Sequence, residues 1–336
     1  MGVWQLGCGG GGGTTGGGGG GQGGSGTTGT QASSTTGSGG AALAPAVTDI
    51  TPDQAINPVY AGITPAGHLL LTEGQPQRVI DMEASGKIDS IDSTTFTGFE
   101  WPRSVAVDDA GRAYIAGYQS IWAFASGASG PIASYVDATA PNQTWDWIVW
   151  GGNPKRLWAL TADSGTAPKI RFVRFDAATP QSGGVPTTVA EVDRFAVMSF
   201  VVDDSNNVFA VDSNQCRVRK VTPAGQVTIL AGKPAAEGGS CAFGYMLKTG
   251  ETIPRDSGGN VQLPQAIALG WDPTGKKLVL SGAGMLIDVT EQADGKSLGK
   301  VLLAFPMEVN NEHFATGPDA LFVIDRAAKG IKKVVF

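Results

Sequence analysis

The chain has 336 residues, 50 of them glycine, with a net charge of −6 and a pI near 5.0. That balance excludes a basic nucleic-acid face; Arg217–Lys220 is the only local cluster of cations. No apolar run reaches the roughly 18 residues that a membrane-spanning helix needs. In chain order, the first 40 residues hold 20 glycines among Thr, Ser and Gln, and the first charged side chain is Asp49. Such a stretch has too little apolar surface to offset the entropy of ordering. Residues 1–45 therefore read as a disordered, flexible tether, and 46–336 as the folded part.

The tether opens on "QLGC", which resembles the end of a bacterial lipoprotein signal at Gly7 and Cys8. The resemblance implies a lipidated Cys8, a membrane partner through that anchor alone, and a place in the bacterial cell envelope (periplasm or outer membrane) or outside the cell. The leucine lies one place too close to the cysteine, and no basic and apolar signal regions precede it. That pattern fits a start codon placed too far downstream or a trimmed chain. The alternative is a chance cysteine before a low-complexity tail.

Past Pro45 the chain becomes short apolar runs broken by Gly, Pro, Asn and Asp, without a helical stripe, which is an all-β pattern. "PRSVAVDDAGRAYIAG" (102–117), "MSFVVDDSNNVFAVDS" (198–213) and "QAIALGWDPTGKKLVLSG" (265–282) share one plan of strand, tight turn and returning strand. Weaker copies start near residues 60, 147 and 313. Their turn residues Gly67, Gly111, Lys155, Asn206, Gly275 and Asp319 are spaced by 44, 44, 51, 69 and 44 residues. The long step holds an insertion at 232–261. A third strand follows in every copy and a fourth in the first five, so each unit reads as a four-stranded antiparallel propeller blade.

The prediction is a six-bladed β-propeller with blades near 57–95, 101–137, 145–193, 196–232, 262–305 and 307–336. The sixth unit stops after its third strand at Phe336. A bare edge there invites aggregation, and "AVTDIT" (46–51) is the candidate strand to close the ring.

The most regular unit, "VFAVDSNQCRVRKVTPAGQVTILAG" (208–232), resembles an NHL repeat. Asp212, Asn214, Arg217, Val218, Arg219, Lys220, Pro223, Gly225, Leu230 and Gly232 occupy that family's positions. Asp325 with Ile331, Lys332 and Lys333 repeats the pattern, as does Glu73 with Arg78 and Val79. Gly117 and Gly282 stand where two further blades lack the acid. The resemblance implies the propeller fold; NHL-like propellers include interaction scaffolds, RNA binders, lyases and the similar Ca²⁺- or Zn²⁺-dependent lactonases.

In such a ring the loops from fourth to next first strand, and from second to third, share one face, where ligands usually enter. That face is expected to collect Glu100, Trp101, Asn142, Trp145, Asp146, Asn311, Glu312 and His313. Oxygen donors there suit a hard cation, which makes Glu100, Asn142, Asp146, Asn311 and Glu312 candidate ligands for Ca²⁺ or Zn²⁺ by analogy with the lactonases. Equally, Asn and Asp are ordinary turn formers. Exposed indoles at Trp101 and Trp145 would suit a sugar or peptide, whereas alternation along "WDWIVW" places Trp145 and Trp147 together on one face and some of these rings in the core. His313 is the candidate catalytic base, with a structural role as the alternative. Cys216 and Cys241 are available to pair in an oxidising compartment; otherwise they are buried free thiols. These observations predict a binding module for a protein or glycan, with no nucleic-acid partner. The alternative is a metal-dependent hydrolase of the lactonase type, or a lyase, on the same face.

Overall fold

The computed structural model describes residues 45–74, 77–92, 102–117, 120–124, 131–136, 144–162, 169–176, 186–232, 241, 247–264, 268–272, 276–305, 312–317, 319–325 and 330–335. Cys8 and the glycine-rich tether lie outside them. The described chain is all-β. After β1 (Ala46–Ile50), blade 1 comprises β2 (Pro58–Ile63), β3 (Leu69–Gly74), β4 (Gln77–Met82) and β5 (Ile88–Asp92). Blade 2 is β6 (Ser104–Val107), β7 (Ala113–Ala116), β8 (Ser120–Phe124) and β9 (Pro131–Val136). Blade 3 is β10 (Thr144–Gly151), β11 (Arg156–Ala162), β12 (Lys169–Arg174) and β13 (Thr187–Asp193). Blade 4 follows with β14 (Val197–Val202), β15 (Val208–Asp212), β16 (Arg217–Val221) and β17 (Val227–Ala231). Blade 5 contains β18 (Ala268–Asp272), β19 (Lys277–Gly282), β20 (Met285–Asp288) and β21 (Lys300–Ala304). Blade 6 has β22 (Glu312–Thr316), β23 (Leu321–Asp325) and β24 (Gly330–Val335) from the C-terminus.

Each blade is a four-stranded antiparallel meander, and the molecule is a six-bladed β-propeller. The fourth strand of blade 6 is β1, paired antiparallel to β24 from Ala46↔Val335 to Ile50↔Ile331. Lys332 reaches across this seam to Asp49 at 2.5 Å. The two ends of the described chain thus complete one sheet, and the edge left by β24 is covered.

The hairpins reuse one turn. At Thr64–His68, Asp108–Arg112 and Asp203–Asn207 the first residue's N–H donates to the fifth residue's carbonyl, and the fourth residue's N–H donates back to the first. The fourth residue must be left-handed, and Gly67 (φ 85°), Gly111 (φ 79°) and Asn206 (φ 61°) meet that demand. Where the first residue is aspartate its carboxylate also caps the turn. Asp108 accepts the N–H groups of Ala110 and Arg112, and Asp203 those of Ser205 and Asn207. This explains the repeated Asp-Asp: its first member closes the turn, while Asp109 and Asp204 stay exposed.

The core is divided among the seams between blades. Six apolar clusters occur among the described residues, one per seam. Tyr114 and Ile121 of blade 2 pack with Ile148 and Leu157 of blade 3, and Trp158 and Phe172 of blade 3 with Phe200 and Val208 of blade 4. Every sheet is therefore buried on both faces. That is why its middle strands read as continuous apolar runs rather than alternating ones.

The insertion in blade 4 is fastened by a Cys216–Cys241 disulfide, with Cα atoms 5.2 Å apart across 25 residues. Beyond it, Ile253 and Val261 enter the seam between blades 4 and 5.

Candidate functional site at the channel

The first strand of each blade lines the central channel, and register fixes which residues are equivalent. Thr72, Ala116, Leu160, Val211, Ser281 and Ile324 hold the same place in their second strands. Their partners are Tyr60, Ser104, Trp147, Ser199, Ala268 and His313. These six residues, one per blade, form the first layer of the channel at the N-terminal ends of the inner strands.

Two members of this layer act on the backbone. Ser104 Oγ accepts the Ile148 N–H at 2.9 Å and Ser199 Oγ accepts the Leu269 N–H at 3.2 Å, each from the following blade. An inner strand has no neighbour on its channel side, so a serine in this layer supplies the missing acceptor. Tyr60, Trp147 and His313 instead meet one another. The Tyr60 ring lies 4.5 Å from His313 and 4.9 Å from Trp147, the latter edge-on at 88°, and Trp147 lies 5.5 Å from His313. His313 is buried, and all three rings line a cavity of about 410 Å³ that follows the channel.

Three carboxylates at this end are paired with arginines, whereas the exposed Asp193 is paired with Lys169. Asp146 is ion-paired with Arg103 of the neighbouring blade. Glu73, buried, binds Arg78 Nε and the Asn57 N–H. Asp212, also buried, receives Arg219 at 2.6 Å, and Arg219 lies 4.3 Å over the Phe195 ring. Burial, then the Arg219 cation, lowers the neighbouring Arg217 guanidinium below its ordinary value, while Asp212 opposes the shift. Glu73 and Asp212 lie in the C-terminal ends of the second strands of their blades. The acid and base of the repeat therefore form a brace between second and third strands.

The structure redistributes the residues expected on this face. Trp145 is buried in the seam between blades 2 and 3, so its ring is not open to a partner. Asp146 is the extra residue of a β-bulge between Trp145 and Trp147, and the bulge breaks strand alternation. Trp145 and Trp150 turn toward blade 2, whereas Trp147 turns toward blade 4. The expectation that Trp145 and Trp147 share a face is therefore corrected. Asp146 is ion-paired with a guanidinium, and among the described residues no group of three His, Cys, Asp or Glu able to hold a metal occurs. Glu100, Trp101, Asn142 and Asn311 lie outside the described residues, as does the side chain of Glu312. The aromatic partners of His313 escaped sequence reasoning. A signal existed for part of the layer: Tyr60, Ser104 and Ser199 each precede their turn residue Gly67, Gly111 or Asn206 by 7 positions.

No protein-family model and no curated protein matches the sequence. Solved structures do match in fold. Virginiamycin B lyase from Staphylococcus aureus aligns at 11% identity and TM-score 0.55, over 87% of this chain and 99% of that one; a catalytically inactive histidine-to-alanine form of that lyase is known with quinupristin. A gluconolactonase from Xanthomonas campestris aligns at 11% identity and TM-score 0.56, over 87% and 89% of the two chains. Regucalcin from Agrobacterium tumefaciens, a calcium-binding protein, aligns at 13% identity and TM-score 0.51, over 85% and 92%. At these identities the likeness is one of fold.

Proposed function

We propose that this chain is an exported NHL-like propeller, anchored through Cys8 to the bacterial cell envelope or released outside it. In this reading the propeller binds a protein or glycan partner through the loop face above the first channel layer. The observation that carries the reading is the convergence of Tyr60, Trp147 and His313 from three blades, with Asp146, Glu73 and Asp212 held by arginines. Aromatic rings offer a partner apolar area at low entropic cost. Carboxylates already neutralised serve recognition better than acid–base chemistry. The braces of Glu73 with Arg78 and Asp212 with Arg219 support the NHL assignment, because they give the spacing of acid and base in that repeat a structural reason.

Glycan and peptide arrays probed with the full chain in EDTA test this reading. Binding is expected to survive the chelator and to fall about tenfold or more in Trp147→Leu and Tyr60→Leu, as losing a buried aromatic contact of about 1.4–2 kcal/mol implies. Binding unchanged in both variants would refute it.

A lyase is the second reading, favoured by one observation: His313, the candidate base, stands in the channel wall. Turnover of a cyclic ester or depsipeptide that disappears in His313→Ala but persists in Asp146→Asn would promote it. The metal-dependent hydrolase has less support, since Asp146 is the one proposed ligand with a described side chain and Arg103 occupies it.

A further inference from the structure

We propose that the channel is entered from the opposite face, the one carrying the turns between first and second strands, and that it holds a small organic cation there. The ligand class is an amine or quaternary ammonium group on a compact apolar body. The cavity runs from the aromatic layer to a rim formed by those turns, with Asp109, Lys155 and Asp204 on it. Asp109 and Lys155 are well exposed, at 65% and 54%, so this end opens to water. Its volume, about 410 Å³, falls within the range of small-molecule sites.

Charge and wall chemistry select the ligand. Lys155 is the one cation among the described lining residues, and Asp109 holds it at 2.8 Å. Asp204, exposed on the same rim, has no ion-pair partner among the described residues. Asp204 thus adds to the mouth a carboxylate that no described residue holds in an ion pair, with Lys276 the cation of the neighbouring turn. Three layers in from Tyr60, the equivalent positions are Ile63, Val107, Trp150, Val202, Trp271 and Thr316. Two indoles thus stand in a collar with three aliphatic side chains and Thr316 just inside the rim, Trp150 backed by the parallel ring of Tyr114 at 6.0 Å. Indole faces attract cations and carry no charge that needs solvation. An anion would meet Asp204 at the entrance, and a neutral apolar body would gain nothing from it. An organic cation gains from both the rim and the collar.

Titration of the full chain with choline and with dimethylbutanol, its uncharged isostere, followed by calorimetry and tryptophan fluorescence, tests this. Choline is expected to bind about tenfold tighter than the alcohol, the scale of a desolvated cation–π contact. Asp204→Asn, an exposed substitution that leaves the fold intact, is expected to weaken choline roughly threefold and leave the alcohol unchanged. Trp271→Leu is expected to remove the preference for the cation, with circular dichroism confirming the fold. Equal affinity for the two probes, or no binding of choline at concentrations on the order of 10 mM, would overturn the proposal. So would choline binding that is insensitive to Asp204→Asn and Trp271→Leu. Binding on the loop face is independent of Asp204, so either proposal can fail alone.

Discussion

Ser199 shows how single side chains hold the channel together. Its hydroxyl accepts the Leu269 N–H of the next blade in a buried setting. Ser199→Ala removes the acceptor and leaves that N–H without it, an expected loss of about 1–3 kcal/mol measured by urea unfolding; Ser104→Ala is expected to behave alike through Ile148. In the insertion, Asp256 caps its own turn. The side-chain amide of Asn260 is the main cause holding this carboxyl below its ordinary range, helped by the N–H groups of Asn260 and Gly258. A folded value below the unfolded one stabilises above the unfolded pKa, and the contribution fades as pH falls through the folded value. Hydrogen-exchange protection of the 256–260 turn should therefore drop below about pH 4, and Asp256→Asn should remove that pH dependence. The residue scale is also where the sequence was least legible. Asp146 reads as a free carboxylate until the bulge and Arg103 are seen, because neither a bulge nor a partner 43 positions away has a local signature. Tyr60 and His313 touch although 253 positions separate them, and only the register of two blades brings them together.

Elements were far more legible than side chains, because strands and turns answer to local rules. The third strand expected in every unit is present as β4, β8, β12, β16, β20 and β24, and the fourth expected in the first five as β5, β9, β13, β17 and β21. The recurring turn explains this success: Gly or Asn at its left-handed position, and at Asp108 and Asp203 a capping Asp directly after an apolar run, are visible within a single copy. Closure by Ala46–Ile50 follows from counting, since five complete units and one short unit leave a single strand to supply. Removing residues 46–50 should bare β24, lower the melting temperature and move the protein toward oligomers on light scattering; a monomer of unchanged stability would contradict the role given to β1. The Cys216–Cys241 bond closes a 25-residue span. Reducing it, or replacing both cysteines by serine, is expected to cost about 3 kcal/mol in the chain-entropy picture, read from the urea midpoint with and without reductant.

At the scale of the whole molecule, six sheets buried on both faces make a rigid ring whose seams hold the apolar core. The ring leaves function to its two ends and the channel between them. Large Tyr60, Trp147 and His313 are set among small Ser104, Ser199 and Ala268, which is how a narrow six-fold channel accommodates three rings in one layer. In the proposed reading this layer serves recognition, and Asp146, Glu73 and Asp212 beside it are each paired with an arginine. The most direct test is the metal content of the purified full chain by native mass spectrometry, after equilibration with trace Ca²⁺ and Zn²⁺ and exhaustive dialysis. No stoichiometric metal is expected. About one bound equivalent of either ion, tight enough to survive dialysis, would contradict the binding-module reading and place the lactonase-type hydrolase first.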